Sequence, residues 1–112
     1  MKIAIPMAEG KLCMHFGHCE TFTLVDVDSE GKKILSTSSV DAPPHEPGLL
    51  PRWLSEKGVK CVIAGGMGQR AVSLFNERGI TVITGAPPEA PEKVVTDFLE
   101  NRLATGPNAC DH

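Results

Sequence analysis

The stretch Lys60-Cys61-Val62-Ile63-Ala64-Gly65-Gly66-Met67-Gly68 decides how this chain folds. From Cys61 to Ala64 it is continuously apolar, the pattern of a strand covered on both faces. The glycines that follow end that strand in a tight turn. Met67, Ala71, Leu74 and Phe75 then fall on one helical stripe, which Gly79 closes. Residues 80–83 return as a second buried strand. Strand, turn, helix and strand in this order imply a right-handed parallel crossover. The chain is therefore expected to carry an α/β sheet with helices on its faces.

Working back from that stretch, Leu49, Leu50, Trp53 and Leu54 repeat at helical spacing, and Gly58 can close their helix. Residues 41–48 hold Pro43, Pro44, Pro47 and Gly48 and read as a loop. Residues 20–27 and 33–40 read as two arms of a hairpin about Asp28-Ser29-Glu30-Gly31. Residues 2–6 form a short buried strand. Residues 7–18 show no period and contain Gly10 and Gly17, so they read as a loop. Downstream, Pro87-Pro88 breaks the chain. Val94, Val95, Phe98 and Leu99 mark a last helix ending near Leu103. The expected order is β-β-β-α-β-α-β-α, a mixed five-stranded sheet with about three flanking helices. It fills a single domain over residues 1–104, followed by a flexible tail at 105–112.

The bulk composition agrees. The 112 residues suit one domain, and 41% apolar residues are enough for a core. That core must be mostly aliphatic, since Trp53 and four Phe are the only aromatics. The net charge of −3 with no Lys/Arg cluster argues against nucleic-acid binding. No apolar run reaches the roughly 18 residues of a membrane span. The opening residues do not make a signal peptide. A cytoplasmic location follows as an expectation, and there the four cysteines are not a disulfide framework, so metal or redox roles gain weight.

Cys61 lies in a strand and is most simply core. The other cysteines and the histidines fall in three places: Cys13, His15, His18 and Cys19; then His45; then Cys110 and His112. If the second strand runs antiparallel to the first, the loops after the first, third and fourth strands leave from one sheet edge. Open α/β sheets bind ligands at that carboxyl edge. The tail is long enough to return there, since about nine extended residues span about 30 Å.

Thiolate and imidazole donors suit zinc, copper and iron–sulfur species. Cys13-Met14-His15-Phe16-Gly17-His18-Cys19 packs four such donors into seven residues, with Met14 as a soft fifth. Taken one at a time, each His reads as solvated and Phe16 as a core plug. As a set they point to ligation. The Gly65-Gly66-Met67-Gly68 turn opens a helix and offers backbone N–H groups to an anion, with Arg70 one turn on. A tight turn for close packing explains it equally well. A nucleophile pair of Cys19 with His15 or His18 would require a lowered thiol pKa.

The opening Met1-Lys2-Ile3-Ala4-Ile5, the His15-Phe16-Gly17-His18-Cys19 segment, the Pro43-Pro44-His45-Glu46-Pro47-Gly48 loop and Gly65-Gly66-Met67-Gly68 together resemble the dinitrogenase iron–molybdenum cofactor biosynthesis family. The likeness runs through nearly the whole chain and is strongest to small single-domain, orange-protein-like members. It implies a ribonuclease-H-like fold. It also implies binding or carriage of a metal–sulfur cluster, iron–molybdenum or molybdenum–copper, rather than turnover. Recombinant protein need not retain such a cluster. The family motif falls on His15, Phe16 and Gly17, and its glycine turn on Gly65, Gly66, Met67 and Gly68. Phe16, Gly17, Gly65, Gly66, Met67 and Gly68, with His45, make the expected cofactor-binding set. Chemistry adds Cys13, His15, His18, Cys19, Cys110 and His112 as metal ligands. Expected partners are the cluster or cluster-assembly proteins. The competing reading is a metal-free module that docks on a partner ATPase or enzyme.

Overall fold

A computed structural model describes residues 1–14, 16, 19–28, 30, 32–43, 48–103 and 105 of the chain. The strands are β1 (Lys2–Ala8), β2 (Lys11–Leu12), β3 (Thr21–Asp28), β4 (Lys33–Asp41), β5 (Val59–Ile63) and β6 (Thr81–Ile83). The helices are α1 (Leu49–Glu56), α2 (Gln69–Glu77) and α3 (Pro91–Leu99). The sheet order is β4-β3-β1-β5-β6, with β2 paired to the end of β1. β1, β4, β5 and β6 run parallel, and β3 alone of the long strands opposes them. This is the expected mixed sheet of ribonuclease-H-like order, with three helices around it.

Each sheet face has its own core, set by alternation along the strands. Ile3, Ile5, Val25, Val27, Cys61 and Ile63 pack on one face with Val94, Val95 and Leu99 of α3. Ala4, Phe22, Leu24, Val59 and Val62 pack on the other with Leu54 of α1 and Phe75 of α2. β4 is mostly exposed. Its register with β3 shifts between Asp26 and Val27, so Leu35 stands as a bulge between Ile34 and Ser36.

Helix ends follow the chain's capping chemistry. After α2, Gly79 is left-handed at φ 75°, and Ile80 donates to Phe75 over 3.0 Å. Both side chains are buried in one core, completing a Schellman stop. The last helix is shorter than the expected end near Leu103. Asn101 adopts φ 59°, while Asn101 and Arg102 donate to the carbonyls of Phe98 and Asp97. That stop closes α3 at Leu99. Among the described residues no helix is long and apolar enough to cross a membrane.

The two-residue β2 lies where a loop was expected. Glu9 at φ 54° and Gly10 at φ 79° put both central turn residues in the left-handed region. That geometry is a type I′ turn, which folds Lys11 back against Ala8 and Leu12 against Met7.

Candidate functional site

Parallel strands deliver their carboxyl ends to one edge, so the loops after β1, β4, β5 and β6 all leave there. The loop after β6 adds a wall that the sequence reading did not include. Leu12 donates to the Glu89 carbonyl over 3.0 Å and ties that loop to β2. The sequence carries the signal, since a strand at residues 80–83 parallel to residues 60–64 must leave at the same edge.

The thiol-bearing segment is held by its main chain. Cys13 N–H donates to Pro6 O over 2.8 Å, continuing the β1–β2 ladder, and Glu20 N–H donates to Met7 O over 2.8 Å. Between them, Phe16 N–H donates to Gly66 O over 3.0 Å. The turn after β5 is itself anchored, since Gly85 donates to Gly65 O over 2.7 Å. The segment thus rests on the glycine turn. A Cβ on Gly65 would stand 2.9 Å from Met14 Cα and 3.2 Å from the carbonyl oxygens of Cys13 and Met14. Gly65 is not in the left-handed region, so glycine is needed there for close backbone approach alone.

Phe16 is buried, with its ring edge-on to Phe22 at 6.0 Å and to Phe75 at 5.7 Å. It anchors the loop to the core. Met67 is also buried, and it precedes α2 rather than lying on its stripe. Gly65 and Gly66 are buried beneath the loop, whereas Gly68 is exposed as the extended N-cap of α2. No side chain caps α2, and Arg70 is exposed in its first turn.

Cys13 is buried, Cys19 is half-buried, and Met14 is 39% exposed at the lip. Burial, and then the neighbouring Cys13, push the Cys19 thiol up to about 11. That direction is opposite to the one a nucleophilic thiol requires. A soft metal would reverse it, because binding exchanges the proton for the cation. Both thiols are carried by this edge segment. His15, Gly17, His18, His45, Cys110 and His112 lie outside the described residues. Among the described residues, no three Cys, His, Asp or Glu side chains converge as a metal site. Cys61 sits 2% exposed in the core, as its strand position implied.

Residues 1–101 match the family model described as dinitrogenase iron-molybdenum cofactor. The chain belongs to that family. An uncharacterized protein of Methanocaldococcus jannaschii is 28% identical over 106 residues, covering 92% of this chain and 89% of its own. The crystal structure of PH0822 is similar at TM-score 0.86 and 31% identity, covering 94% of each chain. The apo form of the orange protein of Desulfovibrio gigas is similar at TM-score 0.71 and 20% identity, covering 96% of this chain and 93% of that one. At that identity the last likeness concerns the fold alone.

Proposed function

We propose that this family member holds a metal–sulfur cluster as cargo at the carboxyl edge, carrying or storing it during cofactor assembly rather than turning it over. One observation carries the reading: the segment that bears Cys13 and Cys19 is seated on the glycine turn at the carboxyl edge, with Phe16 N–H donating to Gly66 O over 3.0 Å and Gly65 leaving room for the Met14 backbone. Soft sulfur donors suit iron–molybdenum or molybdenum–copper sulfide species. His15 and His18 would add donors from the same loop, and His45, Cys110 and His112 would close the shell. The uncapped N–H groups of α2 favour an anionic cluster, with Arg70 nearby. In this reading the protein works in the cytoplasm and exchanges the cluster with assembly proteins.

The test is anaerobic reconstitution with iron and sulfide, and separately with thiomolybdate and copper, followed by visible absorption and metal analysis. Wild type should bind well above a Cys13→Ala/His15→Ala/His18→Ala/Cys19→Ala variant. Equal binding by the two rejects the proposal. A second reading is metal-free docking on a partner ATPase or enzyme through the same edge, to which Met14, 39% exposed at the lip, offers an apolar contact. Partner capture that survives the quadruple substitution favours it.

A further inference from the structure

Among the described residues, the outer edge of β4 is open. β4 pairs with β3 on one side, and among the described residues no strand pairs with its other side. Seven of its nine residues are exposed. Proteins protect such edges by shortness, charge, proline or bulges. The opposite edge, β6, is only three residues long. β4 is long, and its charges, Lys33 and Asp41, stand at its two ends. Between them Ile34-Leu35-Ser36-Thr37-Ser38-Ser39-Val40 carries no charge and no proline. Among the described residues, the bulge at Leu35 is the device that interrupts this edge. It limits the pairable stretch to residues 36–40 and leaves Leu35 61% exposed beside it.

We propose that β4 pairs antiparallel with β4 of a second copy of this chain, joining two sheets across a twofold axis at Ser38. Opposed residues in an antiparallel pair share a sheet face. An axis at Ser38 therefore sets Ser36 against Val40, Thr37 against Ser39, and Ser38 against itself. These are hydroxyl and small apolar pairs, which stabilise a ladder. Asp41 falls opposite Leu35, so no like charges oppose one another. The antiparallel sense brings the acidic end of one strand beside the basic end of the other. A parallel pairing would set Lys33 against Lys33 and Asp41 against Asp41. So short a ladder belongs with small, weak interfaces below about 1,200 Å².

Sedimentation equilibrium on the full chain, from about 10 μM to about 1 mM, spans the affinities of such weak contacts. A monomer–dimer equilibrium is expected. Ser38 is exposed, so Ser38→Lys should fold normally by circular dichroism. It places two ammonium groups face to face and should weaken the dimer severalfold, up to about fivefold. Ser38→Glu should do the same. An equimolar mixture of the two variants should recover association, which a folding defect cannot produce. The proposal is overturned by a monomer throughout the range, by a dimer that neither variant weakens, or by a mixture that stays monomeric.

Discussion

Replacing Gly65 with alanine tests how the thiol loop is seated. The new Cβ would lie 2.9 Å from Met14 Cα and 3.2 Å from two carbonyl oxygens. Carbon atoms rest at about 3.5–4.0 Å, so the contact is short by roughly 0.6 Å. Both neighbours are main chain and cannot rotate away. The loop must lift or the strand end must bend, at about 1–3 kcal/mol for overpacking. Lifting the loop also breaks the Phe16–Gly66 hydrogen bond of 3.0 Å, worth about 1 kcal/mol. The combined loss is about 2–4 kcal/mol, read as a lower urea midpoint at unchanged slope. Hydrogen exchange at the Phe16 amide should quicken, and Cys13 should become more reactive to a thiol reagent. Gly68→Ala is the control. Its Cβ meets nothing within 4 Å, so only the weaker N-cap preference is lost, at about 1 kcal/mol or less. If Gly65→Ala stays within about 0.5 kcal/mol of wild type and keeps the Phe16 amide protected, close backbone approach does not explain this glycine.

Other outcomes follow from the same structure. Phe16→Ala should cost about 3–5 kcal/mol in denaturant titration, because the ring is wedged between Phe22 and Phe75; a loss near zero would place the motif's Phe outside the core. Cys61 is raised by burial to about 11, while the unfolded thiol titrates near 9. The unfolded state therefore releases its proton first as pH rises, and stability present below about pH 9 falls between about 9 and 11, by about 2 kcal/mol for this residue. Urea midpoints across that window should decline less steeply in Cys61→Ala, and parallel curves would contradict the assignment. At pH 8, Cys19, pushed up to about 11, should alkylate with iodoacetamide about tenfold or more slower than an ordinary thiol. Peptide mapping that finds Cys19 faster would revive it as a nucleophile.

Much of this architecture was legible because local chemistry and long-range packing agree in it. The unbroken run Cys61–Ala64 needs cover on two faces, and α1, α2 and α3 provide it. Gly58 and Gly79 read as helix stops, and both are left-handed where the helices end. The Asp28 turn holds through its carboxylate, which accepts from Glu30 N–H over 3.1 Å. What escaped notice was short or tertiary. A two-residue strand has no period, so β2 was visible only as Glu9-Gly10 between Met7 and Leu12. Asn101 ends α3 early by going left-handed, a choice that side-chain periodicity does not report. Met67 fits the helical stripe of α2 in sequence, yet Gly68 is extended, so the helix begins only at Gln69. At the site, topology placed the Cys13 loop and the glycine turn on one edge. That Gly65 admits the loop's backbone follows from a contact between residues about fifty positions apart, which no local pattern encodes.

The hydrogen bonds that fix the thiol loop, from Cys13 to Pro6, from Phe16 to Gly66 and from Glu20 to Met7, all join main-chain atoms. None of these three bonds uses a thiol, so neither cysteine side chain is needed to make them. Cys19, half-buried, can change without removing any of these bonds, whereas Cys13 is buried, and a larger His or a charged Asp there must displace its neighbours. The frame of the loop is thus written in backbone bonds and its lip in side chains, so the outer position is where the sequence can drift at least cost to the fold.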